Sequence, residues 1–136
     1  MEYLIQTSFK FAAELLVLAF ILITFLQSGI DKLTDWNGNV AYIKSVFAKT
    51  FLANISTFLL AIIAFAEMLA GILSLIGIYQ ILANQDTFYG FLALIVAAKV
   101  LLALLFGQRV AKDYAGAMTI VVYFGIVLFG IYLFLI

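Results

Sequence analysis

The chain has 136 residues, of which 68% are hydrophobic and 10% charged, with seven basic and seven acidic side chains cancelling to zero net charge. Soluble domains are about 45–50% apolar and about 25% charged, so a chain this small cannot keep its apolar surface from water, and the bilayer has to be its solvent. Zero net charge argues against a nucleic-acid partner, and the absence of Cys and His excludes disulfide exchange, thiolate nucleophiles, Cys/His zinc sites and His-ligated haem.

Four hydrophobic segments follow one another, each near the ~20 residues that a spanning helix needs. The first covers about 9–28 and carries Glu14 near its start. It has no small-x-small cleavage pattern at its end, so it reads as a retained helix and not as a signal peptide. The connection 31–49 reads DKLTDWNGNVAYIKSVFAK. Asn37-Gly38 marks a turn, after which Val40, Ile43, Val46 and Phe47 recur at helical spacing. That spacing predicts a short amphipathic helix at the membrane interface, with Trp36 as an aromatic anchor. The second segment, about 55–79, holds Glu67 in its middle. The third, about 88–106, holds Lys99, and the fourth, about 115–136, has no charge. Helices satisfy their own backbone groups in lipid, and the alternation of barrel strands is missing. With no proline, no proline kink interrupts them. The expectation is one all-α domain, 1–136, an integral membrane four-helix transmembrane bundle with an amphipathic segment between helices one and two.

Loop charge predicts orientation. Lys32, Lys44 and Lys49 fall in the first connection, and Arg109 and Lys112 in the third. The amino-terminal flank has Lys10, and the second connection has no basic residue. The first and third connections are thus expected in the cytoplasm and both termini outside. The charged turn from Gly107 to Asp113 reads as a solvated anchor, with contact to anionic headgroups as the alternative.

Charges within spans are costly and usually face a partner, a cavity or a pathway. Counted from the second connection, Glu67 and Lys99 lie at similar depth, roughly 16–18 Å in at 1.5 Å per residue. Helices two and three are expected to be antiparallel neighbours, so a Glu67–Lys99 pair is the expected arrangement. Glu14 enters from the same face but is shallower, and the Lys99 stem has the alternative of reaching toward it. Glu67, Gly71, Ser74 and Ile78 fall on one stripe, whose small residues permit close helix approach. Glu67 is therefore expected to face the interior. Thr119, Tyr123 and Gly130 form a similar stripe on helix four, with Tyr123 offering a phenol to the same centre. The centre has three candidate roles: an ion pair that fixes helix register, a quinone or small-ligand pocket with proton relay, and a subunit interface. No spacing of carboxylates points to a metal.

Three stretches carry a family likeness. Ser28-Gly29-Ile30-Asp31-Lys32-Leu33 closes helix one with a small-Gly-x-x-Lys-Leu pattern. Glu67 through Gly77 places Glu, Gly71 and Gly77 in order on helix two. Asp113 through Ala117 forms an acidic-Gly turn before the last helix. In these motifs, and in length and layout, the chain resembles the DoxX family of small four-helix bacterial membrane proteins. It departs from the family at Glu14, where a basic residue is common, and at Ser28, where a His is common. The resemblance implies a multi-pass protein of the bacterial cytoplasmic (inner) membrane. It implies a subunit of quinone-linked redox complexes such as thiosulfate:quinone oxidoreductase, with quinone as the ligand and other oxidoreductase subunits as partners. The alternatives are a structural or assembly subunit without ligand, and a small transporter or proton channel acting as an oligomer. Whether the chain itself is an enzyme is left open by its residues.

Overall fold

A computed structural model describes residues 1–136 as seven α-helices. The helices are α1 (Glu2–Lys10), α2 (Ala12–Ile21), α3 (Gln27–Thr34), α4 (Trp36–Phe47), α5 (Ser56–Asn84), α6 (Phe88–Val110) and α7 (Tyr114–Leu135). A π-helical turn, Leu22–Leu26, joins α2 to α3 without a break, so that Ala12–Thr34 is one span. The other spans are Ala53–Asn84, Phe88–Val110 and Tyr114–Leu135. All four are long and apolar enough to cross a membrane, and the chain is a multi-pass membrane protein with an all-α four-helix bundle.

The expected segments are all present, but three are longer than hydropathy alone suggests, the third running on to Val110 so that Gly107, Gln108 and Arg109 are helical and not part of a turn. The first span continues past residue 28 to Thr34, because a helical backbone ladder does not stop where side chains turn polar. The second begins at Ala53 and ends at Asn84. Lys32 therefore belongs to the first span and not to a loop. Asn37-Gly38 is not a turn either. The chain bends at Asp35 (φ −121°, ψ 53°), and both residues lie in the first turn of α4. There Asn39 anchors the bend by donating from its side-chain amide to the Asp35 carbonyl at 2.8 Å. The helical spacing of Val40, Ile43, Val46 and Phe47 holds, but α4 starts earlier than expected.

The spans form a square. The first span packs on α5 and α7, α6 packs on the same two helices, and the first span and α6 occupy opposite corners. Helices α5 and α6 are antiparallel neighbours, as expected, joined by Gln85–Thr87. Gln85 takes left-handed backbone (φ 53°), and the Asp86 N–H returns to the Gln80 carbonyl at 3.2 Å, capping carbonyls that α5 would otherwise leave unpaired. Close approach of these helices depends on Gly77 and Gly90. A Cβ on Gly77 would stand 2.7 Å from both Cα and N of Gly90. Leu18, Ile21, Leu94, Leu101 and Val127 are fully buried where the four spans meet.

The two ends of the bundle differ. At one end α1 folds back on the α5–α6 turn. Tyr3 Oη donates to the Ala83 carbonyl at 3.2 Å, and Gln85 Nε2 donates to Thr7 Oγ1 at 3.3 Å. At the other end Phe51 meets Phe106 edge-on, which ties the connection after α4 to the end of α6. There Asp113 caps α7 by accepting from the Gly116 N–H at 3.0 Å, as an N-cap aspartate does.

Candidate functional site: a buried ion pair between the first and second spans

Glu67 is 2% exposed, on the inner stripe of α5 with Ala64, Ala70, Gly71 and Ser74. The inward direction expected from Gly71 and Ser74 is correct. Ile78 on the same stripe is half-buried.

Its partner is Lys32. Lys32 Nζ lies 2.8 Å from Glu67 Oε1, and the lysine side chain is 18% exposed. The same ammonium donates to Ser28 Oγ at 2.8 Å, one helical turn back on α3. The ammonium sits directly against Oε1, which has no other partner. The carboxylate is thus neutralised by the lysine charge.

Two glycines make this geometry possible. A Cβ on Gly71 would stand 3.1 Å from Cα and N of Leu26, the last residue of the π turn. A Cβ on Gly29 would stand 2.8 Å from Met68 Sδ and 3.2 Å from Met68 N. Small residues let membrane helices approach this closely. The crossing brings the polar end of the first span against the middle of α5, and Lys32 then has only its own stem to extend to reach Glu67. Removing a buried charge from its counter-charge is costly in a low dielectric, so the two helices are locked in register at this level.

An open apolar groove of about 400 Å³ lies beside the pair, lined by Leu33, Trp36, Ala61, Ala64, Phe65 and Met68. Leu33 and Met68 are the chain neighbours of Lys32 and Glu67. Trp36 is half-buried and lines this groove.

The expected Glu67–Lys99 pair does not form. Lys99 is exposed, and the molecule's one ion pair is Lys32–Glu67. The inner face of α6 is set by Ala93, Ala97 and Val100. Lys99 follows Ala97 by two residues, about 200° around the helix, and so points outward at the depth where it was expected to point in. Glu14 is half-buried on α2 and makes no ion pair or side-chain hydrogen bond, so the alternative Lys99–Glu14 approach does not occur either. Tyr123 is half-buried, with its ring edge-on to Phe20 at 5.7 Å between centroids, and its hydroxyl makes no hydrogen bond within the chain. Thr119 is exposed, because the inner stripe of α7 runs through Ala117, Ile120, Val127 and Gly130. Of the motif residues, Ser28, Gly29, Lys32 and Gly71 come together around Glu67. Gly77 serves the α5–α6 crossing and Asp113 caps α7, both away from the pair.

Lys32 was the residue that polarity counting missed, because it stands beyond the apolar window of the first segment. A signal for it was present in the Ser28…Lys32 spacing of one turn and in Gly29 between them, which marks a close crossing. In comparison with known proteins, the chain matches no family model, no curated protein and no solved structure.

Proposed function

We propose that the chain is a membrane subunit of a quinone-linked oxidoreductase and that it holds a quinone in the groove beside Lys32 and Glu67. The observation that carries this reading is a buried ion pair, at 2.8 Å, whose chain neighbours Leu33 and Met68 line an open apolar groove. A quinone ring with its isoprenoid tail needs apolar walls and one or two polar contacts, which is the usual make-up of a small-ligand site. The residues fit such a group. The groove is lined by hydrophobic side chains, and the partly exposed Lys32 ammonium has three N–H groups, of which Ser28 and Glu67 engage two.

A bound quinone would supply two-electron redox chemistry coupled to proton uptake. Lys32 would orient the ring by donating to a carbonyl oxygen. Glu67 would take up a proton and relay it toward that oxygen, with Lys32 stabilising the carboxylate form. Ser28 positions the ammonium, and Trp36 and Phe65 supply aromatic walls to the groove. Electrons would come from a partner subunit, since the chain has no Cys or His to hold a redox metal. The redox class itself rests on the motif resemblance to DoxX. In the same reading the protein sits in a bacterial cytoplasmic membrane. The end bearing Lys44, Lys49, Arg109 and Lys112 then faces the cytoplasm, and the termini face out.

Titration of the protein in nanodiscs with menaquinone and ubiquinone tests this. Saturable binding is expected, weakened at least tenfold by Lys32→Met and by Glu67→Gln and unaltered by Lys99→Met. Equal affinity in all four proteins would overturn it. The tight crossing at Gly29 and Gly71 favours a second reading, a structural or assembly subunit in which the pair only fixes register. That reading predicts lost stability in the same variants and no quinone binding in the wild type.

A further inference from the structure

The molecule leaves two opposite charges unmatched on its outer surface within the spans. Lys99 stands at the centre of α6, eleven residues from either end. That is about 16 Å at 1.5 Å per residue, farther than a lysine stem reaches when it snorkels. It is exposed and has no ion partner in the chain. Asp31 is also exposed, on the first span, and its carboxylate accepts only from Gln27 Nε2, at 2.5 Å. Neither is relieved by the molecule's own interior, because the cation and the anion there, Lys32 and Glu67, already hold each other.

The two charges share a depth. Gly29 meets Met68 across the first crossing, and Gly77 meets Gly90 across the second. Two residues on from Gly29, Asp31 falls at the level of Ala66. Nine residues on from Gly90, Lys99 falls at the level of Met68. The difference is about 3 Å. They also belong to opposite corners of the square, since the first span and α6 both pack on α5 and α7. No rotation of side chains brings them together within one molecule.

We propose that copies of this chain associate head to tail in the membrane, with Lys99 of one copy pairing with Asp31 of the next. Every copy inserts with the same orientation, so a depth match within one chain is automatically a depth match between neighbours. Each copy supplies one Lys99 and one Asp31, so the charges balance at any number of subunits. Donor and acceptor lie on different faces, which makes the contact heterologous. Such contacts close into a ring when the rotation between subunits permits and otherwise extend as a row. A two-fold dimer would need both charges on one patch, and they are not on one.

Single-molecule photobleaching of the purified, labelled protein in lipid vesicles, over a range of protein-to-lipid ratios, tests the proposal. The wild type is expected to give multi-copy spots that persist on dilution. Lys99→Asp and Asp31→Lys are each expected to shift the distribution to monomers. Assembly should return in two cases: when both reversals are combined in one chain, and when the two single variants are mixed. Lys99→Gln, which keeps a long polar side chain, should weaken assembly without a full loss, and helical circular dichroism on each variant shows that the fold persists. The proposal is overturned if the wild type is monomeric at every ratio, if single reversals leave the copy number unchanged, or if folded double-reversal protein stays monomeric.

Discussion

At the scale of single residues, the strongest energetic consequence concerns Lys32. Truncating it leaves the Glu67 carboxylate buried with no counter-charge, and loss of one partner from a buried pair typically costs about 3–5 kcal/mol. Lys32→Met should lower unfolding stability in detergent micelles by an amount of this order. Replacing both partners, Lys32→Met with Glu67→Leu, should recover most of that loss, because two apolar side chains leave nothing unsatisfied. A double variant as unstable as the single one would mean that the carboxylate is not what makes Lys32 necessary. Asp113→Ala offers a smaller contrast far from the pair. It removes the acceptor for the Gly116 N–H and should cost about 1 kcal/mol. Residue identity made Glu67 legible as an inward charge, because Gly71 and Ser74 share its stripe. Lys99 was misread because counting along a helix fixes depth, whereas a rotation of about 200° relative to Ala97 decides whether a side chain meets protein or lipid.

At the scale of elements, helix approach is set by where a methyl group has no room. Gly77→Ala would place Cβ 2.7 Å from backbone atoms of Gly90. Backbone cannot swing aside as a side chain can, so α5 and α6 must separate, at a cost of about 1–3 kcal/mol. At Gly29 the nearest atoms are Met68 Sδ and Cγ, flexible enough to move, so Gly29→Ala should cost less. Gly125 faces open space with nothing within 4 Å. Gly125→Ala should therefore be neutral or stabilising by up to about 1 kcal/mol through helix propensity. Thermal unfolding of the three variants in one detergent checks the order. Similar losses at all three positions would contradict the packing described here. The same scale explains the boundaries that the local sequence pattern misplaced. The first span runs on to Thr34 because its polar end lies against α5 and α4, and α4 starts at Trp36 because the bend at Asp35 already redirects the chain.

At the scale of the whole molecule, the two ends carry different chemistry. Lys44, Lys49, Arg109 and Lys112 lie at one end, and the α1–Gln85 contacts at the other. The proposed orientation predicts labelling from opposite sides of the membrane. The chain has no cysteine of its own, so single cysteines report without background. Ser45→Cys should react with a membrane-impermeant maleimide from the cytoplasmic side, and Asn84→Cys from the outside. The reverse pattern would invert the assignment, and reaction of both from one side would contradict the bundle itself.

What the sequence by itself determined was the class of solvent, the number of spans and the presence of a charged centre. These depend on composition and on local hydrophobic length, which need no knowledge of neighbours. The helical period also sufficed to turn Glu67 inward. Only the tertiary structure decided which cation meets it. Lys32 and Lys99 both lie near the depth of Glu67, and the choice rests on the Gly29 and Gly71 crossing that draws the first span onto α5. Pair formation inside a bilayer depends on the separation and rotation of two helices at once. Neither quantity is written in the polarity pattern of either helix alone.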